Sequence, residues 1–200
     1  MAYGLYNVLR LTGRDLVFLC RYACRKLRYG NQGPVVLCNS YPKSGTHLLY
    51  QILCAVPGYV RWPDIVSVQS LSGTMNTSAH VRWKLGSAPP RAMVPTHLMH
   101  CPEVLAVLEE RPTVRFHIVR DLRDVAVSHA RWVCREPRIF LHRIYTEHLK
   151  NDDERLMASI TGTPLGSPFG SNVSQPPIGQ DFRRWLGWLD DPNTLVVRFE

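Results

Sequence analysis

The stretch that most constrains this chain is Val35-Val36-Leu37-Cys38-Asn39-Ser40-Tyr41-Pro42-Lys43-Ser44-Gly45-Thr46-His47-Leu48-Leu49. Its apolar start reads as a buried strand, and Leu48, Leu49, Ile52 and Leu53 repeat at helical spacing. Between the two lies a short turn of Pro, Lys, Ser and Gly. A strand that feeds such a turn into a helix start leaves backbone N–H groups pointing outward, at the positive end of the helix dipole. Lys43 adds a mobile full charge, and Ser44 and Thr46 add hydroxyl donors. The segment is built to hold a phosphate-like anion. It is not a Walker A loop, which needs Gly, four residues and then Gly-Lys-Ser/Thr, because Lys43 precedes Gly45.

A second segment has matching chemistry. Val114 to Val119 reads as a strand, followed by Arg120-Asp121-Leu122-Arg123-Asp124 and a helical stretch through Trp132. Arg120 ends the strand and Ser128 stands eight positions later. A guanidinium grips a phosphate through two oxygens, and a helix-borne hydroxyl adds a donor. Asp121 or Asp124 caps the helix start, and the plain alternative for Arg120 is a salt bridge to one of them. Between the two segments, Pro95-Thr96-His97-Leu98 follows the apolar pair Met93-Val94 and puts His97 at a strand end. Imidazole titrates near neutrality and suits a general base. The remaining histidines carry no comparable context and are read as surface or core groups.

Together these segments resemble the sulfotransferases that use 3′-phosphoadenosine 5′-phosphosulfate (PAPS). Tyr41–Thr46 is similar to their 5′-phosphosulfate loop, Arg120 with Ser128 to their 3′-phosphate segment, and Thr96-His97-Leu98 to the step that carries the base in cytosolic-type members. The resemblance implies a P-loop-like parallel β-sheet flanked by helices in three layers. It implies transfer of a sulfuryl group from PAPS, without a metal, to a hydroxyl or amine of a small-molecule, lipid or carbohydrate acceptor. Catalytic roles fall to His97 and Lys43, and cofactor contacts to Lys43, Ser44, Gly45, Thr46, His47, Leu48, Arg120, Ser128 and Phe199. Three positions depart from the family pattern. His47 replaces Ser or Thr, Leu48 replaces a Trp that often stacks on adenine, and Pro95 replaces a Lys two residues before the base. Phe199-Glu200 is similar to the start of the family's Tyr-Glu-Asp segment, so the resemblance covers about residues 33–200 and implies that a C-terminal part, with a late Arg-Lys-Gly segment, is missing. Two rivals stand beside this reading: a P-loop kinase with Asp121 as a Mg²⁺ ligand, and an inactive truncated remnant that binds nucleotide or nothing.

Composition sets the frame. With 200 residues, 45% hydrophobic and 20% charged, the chain is globular rather than disordered. The formal charge of +8 is concentrated early, where Arg10, Arg14, Arg21, Arg25, Lys26 and Arg28 face only Asp15. That distribution suits a small anionic ligand better than a nucleic-acid footprint. Residues 1–30 therefore read as a basic amphipathic unit ahead of a domain at 33–200. A helix is expected over roughly 5–28, packed on the domain by its leucines or, as the sharper alternative, lying on anionic lipid. The six cysteines form no C-x-x-C pair, so buried reduced thiols and a cytoplasmic setting, with possible peripheral membrane contact, are expected. No apolar run is long enough to span a membrane.

Elsewhere the pattern predicts irregular chain over 57–92, a helix over 102–111, helical structure over 125–150, a long loop over 151–180, a helix over 182–189 and a strand over 194–200. The first of these, with Trp62, Trp83 and several serines, reads either as the lining of an acceptor pocket or as a loop that merely covers the sheet. Strands alternating with helices imply an α/β domain with a parallel sheet. Ligands bind such sheets beyond the carboxyl ends of the strands.

Overall fold

The strand-forming runs all assemble into one sheet. A computed structural model of the protein describes residues 13–67, 78–163 and 175–200. Its strands are β1 (Val35–Ser40), β2 (Val60–Arg61), β3 (Val66–Ser67), β4 (Ala92–His97), β5 (Thr113–Val119) and β6 (Thr194–Arg198). They run in the order β2-β4-β1-β5-β6, with β3 also paired to β4. Every pairing is parallel. The helices are α1 (Gly13–Tyr29), α2 (Thr46–Leu53), α3 (Ser78–Ser87), α4 (Pro102–Glu109), α5 (Leu122–Arg135), α6 (Asp152–Thr161), α7 (Ile178–Phe182) and α8 (Gly187–Asp190). A π-helical turn at Ile144–His148 and a 3₁₀ turn at Arg183–Trp185 complete the set.

Parallel sheets are covered on both faces, which is why β1 is apolar nearly throughout and buried along its whole length. Alternate residues serve opposite layers. Val35 and Leu37 join Val94, Val81, Leu85, Val104, Leu108, Trp185 and Trp188 on the side of α3 and α4. Val36 and Cys38 join Met93, Ile118, Leu49 and Tyr50 on the side of α2. The expected three-layer α/β architecture is thus the one observed. A third cluster, around Val133, Ile139, Leu141, Ile144 and Tyr145, ties α5 to the π-helical turn and α6.

One polar side chain sits in the middle of this apolar sheet. Asn39, on the central strand and 4% exposed, uses both ends of its amide. Its Oδ1 accepts from Thr96 Oγ1 and from the Leu98 N–H, each at 2.9 Å. Its Nδ2 donates to Leu98 O at 3.1 Å and faces His117 Nδ1 at 3.2 Å. Because the amide is the donor there, His117 Nδ1 accepts and its ring proton belongs on Nε2. The imidazole lies roughly parallel to the rings of Trp185 and Trp188, with centroids 6.3 and 6.2 Å away. Burial beside His100 pushes the His117 pKa down to about 4.

Several expectations are corrected. Residues 57–92 are not wholly irregular, since α3 forms within them and buries Val81 and Leu85 one turn apart. Only those two of its side chains are buried, so its apolar periodicity is too sparse to read in sequence. Trp83 on α3 is 57% exposed rather than lining a pocket. The predicted loop at 151–180 contains α6, whose start is capped by Asn151 accepting from the Glu154 N–H at 2.9 Å. Its Asn-Asp-Asp-Glu opening was a legible capping signal, outweighed by the Gly, Pro and Ser that follow. The helix from 125 ends at Arg135, and the tail helix breaks into α7, a 3₁₀ turn and α8.

The N-terminal helix is described from Gly13, so residues 5–12 of the expected span lie outside the described residues. Its leucines do not pack as expected: Leu16 is 58% and Leu27 89% exposed, whereas Arg25 is buried. Contact with the domain comes instead from Phe18, edge-on to Trp62 at 5.3 Å. The cysteines are unpaired, but Cys20, Cys24 and Cys54 are exposed and only Cys38 is buried, so the expectation of buried thiols fails for most of them. Among the described residues no helix is long and apolar enough to cross a membrane.

Removing the Asn39 amide leaves the Leu98 N–H and the Thr96 hydroxyl without a buried partner, each costing about 1–3 kcal/mol. Asn39→Ala is expected to lower unfolding free energy by at least about 2 kcal/mol in urea titration, on that same accounting. A loss below about 1 kcal/mol, within the range of an ordinary surface change, would show that the amide is dispensable.

Candidate functional site

The carboxyl ends of the three adjacent strands β4, β1 and β5 deliver the segments singled out in the sequence to one rim. His97 is the last residue of β4, Ser40 the last of β1, and Arg120 immediately follows β5. The loop after β1 closes tightly, with the Ser44 N–H donating to Tyr41 O at 3.1 Å. Lys43 sits at φ 71°, in the left-handed region that non-glycine residues rarely adopt. Gly45 precedes α2 at φ 104°, and a Cβ there would stand 2.9 Å from Phe199 Cε2 and 3.2 Å from Ile118 Cδ1. Only glycine accommodates both that backbone and that approach.

Ser40 is the node of the site. Its hydroxyl hydrogen-bonds Thr46 Oγ1 at the start of α2 and lies 3.3 Å from His97 Nδ1. Its carbonyl is 3.0 Å from the same nitrogen. A carbonyl only accepts, so His97 carries its proton on Nδ1 and keeps the Nε2 lone pair for another partner. Burial, with smaller contributions from His47 and Lys43, pushes the His97 pKa down to about 4 against the Ser40 carbonyl bond. The ring is therefore neutral at pH 7. His47, exposed in the first turn of α2, is also shifted down, by burial first and then by Arg61 and Lys43.

Two cations meet beside this node. Arg120 Nη1 donates to Lys43 O at a long 3.5 Å, and its guanidinium lies 4.4 Å over the Phe199 ring. Lys43 Nζ lies 4.8 Å over the Trp132 ring. Burial, then repulsion from Arg120, lowers the Lys43 pKa. The plain alternative for Arg120 is only weakly met, because its nearest carboxylate, Asp124, is 3.8 Å away. Asp121 instead caps α5 through the Arg123 N–H at 2.8 Å and binds the Arg123 side chain, which holds its carboxyl down at about 2. That carboxylate is occupied, and among the described residues no three metal-ligating side chains cluster.

Two buried polar atoms here have no hydrogen-bond partner among the described residues, Ser44 Oγ and Arg120 Nε. A hydroxyl and a guanidinium edge, beside a lysine and a helix N-terminus, form a donor set for an oxyanion. The remaining predicted residues are less uniform. Thr46 and Ser44 are buried in the loop, and Phe199 is part of the site through Gly45 and Arg120. Ser128 is half-buried on α5, one turn before Trp132, with no recorded bond to Arg120. Leu48 is 44% exposed. Sequence reasoning missed Ser40 and Trp132. Ser40 is an unremarked strand-terminal serine, whereas Trp132 stands one helical turn beyond Ser128 and was within reach of the i,i+4 rule.

No protein-family model matches the sequence, and no curated protein sequence matches it. The fold does have relatives: a parallel sheet flanked by helices of sulfotransferase type. One solved structure of that type is the mouse sulfotransferase SULT7A1 complexed with PAP, at a TM-score of 0.51 and 21% sequence identity. The match covers 84% of this chain and 52% of the mouse chain, so the chain spans about half the length of its structural neighbour. At that identity the likeness establishes the fold.

Two predictions follow from the geometry. Gly45→Ala combines a disfavoured backbone with a clash against Phe199, and is expected to cost about 2–4 kcal/mol of stability by thermal denaturation. An unchanged melting temperature would mean that the loop repacks freely. The second concerns acid. His97, His117 and His129 are each held down to about 4, chiefly by burial. The unfolded chain, with ordinary histidines near 6.5, then takes up these protons first. Stability is fully present above pH 6.5 and falls as pH drops toward about 4, by up to about 1.4 kcal/mol per pH unit for each histidine. Urea midpoints at pH 7, 6 and 5 check this, and a flat profile would contradict it.

Proposed function

We propose that this chain carries the nucleotide-binding loop and the base of a PAPS-dependent sulfotransferase. The observation that carries the reading is the meeting of Lys43, Arg120 and neutral His97 at one rim, around a loop with unpartnered donors. The fold shared with a sulfotransferase complexed with PAP supports it.

In the proposed reaction an acceptor hydroxyl or amine attacks sulfur in line with the departing phosphate oxygen. The new bond is acceptor to sulfur, and the bond that breaks joins sulfur to the 5′-phosphate of PAPS. The acceptor's proton passes to His97 Nε2, and adenosine 3′,5′-bisphosphate leaves with the bond's electron pair. Lys43 and the loop N–H groups neutralise charge that builds on the leaving phosphate. Ser44, Gly45, Thr46 and His47 surround the 5′ end, while Arg120, with Ser128, takes the 3′-phosphate, and Phe199 supports the Arg120 plane. Leu48, exposed and apolar, offers the adenine no aromatic surface. The acceptor is a small molecule, lipid or carbohydrate, and the setting is cytoplasmic.

Reaction by metal-assisted phosphoryl transfer is disfavoured by one observation: Asp121 is spent on its helix cap and on Arg123. Thermal-shift titration with adenosine 3′,5′-bisphosphate and with ATP plus Mg²⁺ separates the readings. Stabilisation by the bisphosphate, lost in Lys43→Ala and Arg120→Ala, is expected. Stabilisation by ATP with Mg²⁺ alone would overturn the assignment. In a chain with turnover, His97→Ala is expected to reduce kcat by about two to four orders of magnitude while bisphosphate affinity stays within about threefold. Because the base is active when unprotonated and its pKa is about 4, the acid limb of kcat/KM should lie well below the ordinary histidine range. An acid limb near 6.5 would instead point to an unburied imidazole.

A further inference from the structure

Away from the loop, a cleft of about 570 Å³ runs between α1, the end of α2 and β2. Arg21, Arg25 and Arg61 line it, with Tyr29, Tyr59 and Cys54, and none of the described lining residues carries a carboxylate. Arg25 is the unusual member. It is 5% exposed, yet among the described residues it hydrogen-bonds only Gly30 O, from Nη1 at 3.1 Å. Its Nε and Nη2 are shielded from bulk water and have no hydrogen-bond partner among the described residues. The Tyr22 ring, 4.8 Å from the guanidinium carbon, supplies a cation–π contact in place of a counter-ion.

A buried guanidinium is ordinarily paired, because leaving the charge and its N–H groups desolvated costs free energy. Here the pair left over is the one that matters. Nε and Nη2 form the side edge of the guanidinium, whose two parallel N–H bonds match two oxygens of a tetrahedral oxyanion or a carboxylate. Gly30 O holds the opposite corner of the guanidinium through Nη1. Arg21 and Arg61 add charge of the same sign on the same cleft, and two tyrosine rings offer flat apolar surface. The cleft volume falls within the range of small-molecule sites, roughly 300–1,000 Å³.

We propose that this cleft is a second anion site, taking a sulfate or phosphate monoester whose aromatic or apolar body lies against Tyr29 and Tyr59. It is separate from the loop at Lys43 and goes beyond the transfer reaction proposed above. Arg61 stands between the two, since its charge also helps depress His47. Such an ester reaches the site either as a soluble molecule or as the headgroup of a lipid, and binding experiments tell the two apart.

The full chain is titrated with 4-nitrophenyl sulfate and 4-nitrophenyl phosphate by calorimetry, and with phosphatidylcholine vesicles with and without phosphatidic acid by co-sedimentation. Arg25→Gln, and the double variant Arg21→Gln with Arg61→Gln, are each expected to weaken binding of the soluble esters at least about tenfold, as for loss of a bidentate or paired cationic contact. Arg21 and Arg61 are exposed, so the double variant keeps the proposal testable if Arg25→Gln fails to fold. Lys43→Ala, which removes any ester held at the loop, is expected to retain the ester binding that depends on Arg25. Bound ester should also slow alkylation of Cys20, Cys24 and Cys54, which line the cleft, and leave Cys101 unchanged. Vesicle binding that needs both phosphatidic acid and Arg25 assigns the headgroup, and ester binding without it assigns the soluble ligand. No binding of any probe, equal affinity in the arginine variants, or loss confined to Lys43→Ala overturns the proposal.

Discussion

The amide of Asn39 is the interaction on which the rest of the site depends. It lies on the central strand and holds Thr96 and Leu98 on one neighbour and His117 on the other. Each of those residues is within three positions of the site: Thr96 precedes His97, Asn39 precedes Ser40, and His117 stands three before Arg120. One buried polar group thereby fixes the relative height of three strand ends. A parallel sheet without such a register mark slips more readily, because apolar side chains distinguish one step of two residues poorly.

From that register the chemistry follows by short steps. The β1 end supplies Ser40, whose hydroxyl and carbonyl contact His97 and whose hydroxyl also contacts Thr46. The imidazole is thereby oriented with Nδ1 inward, and burial keeps it uncharged against the pull of the Ser40 carbonyl. On the other flank, Arg120 leans on Phe199 and reaches Lys43, and Lys43 rests on Trp132. Aromatic faces hold both cations, and the carboxylate beside Arg120, that of Asp124, stands off at 3.8 Å. The positive charge therefore stays available to an incoming anion.

How much of this was legible in the sequence depends on the range of the cause. The loop at 41–46, the strand ends at His97 and Arg120, and the parallel α/β sheet were readable because each rests on a local pattern: an apolar run, then a turn, then a periodic segment. Phe199 was reached only through resemblance, and its contact with Gly45 depends on strands far apart in the chain. The helix α3 escaped notice because two buried residues among ten leave little periodicity, and α6 because its composition resembles a loop after the first turn. Arg25 was counted with the solvated arginines of a basic helix, and nothing in its neighbours announces that it faces inward. The same inversion left the leucines of α1 outside.

The unusual backbone of Lys43 has a further consequence. A lysine held at φ 71° costs about 1–2 kcal/mol that a glycine or asparagine would not incur to the same degree. The position is thus a compromise in which the ammonium group is retained against the preference of the main chain. A directed-evolution screen rewarding heat resistance alone would drift toward glycine there, yielding hardier molecules that had quietly lost their charge.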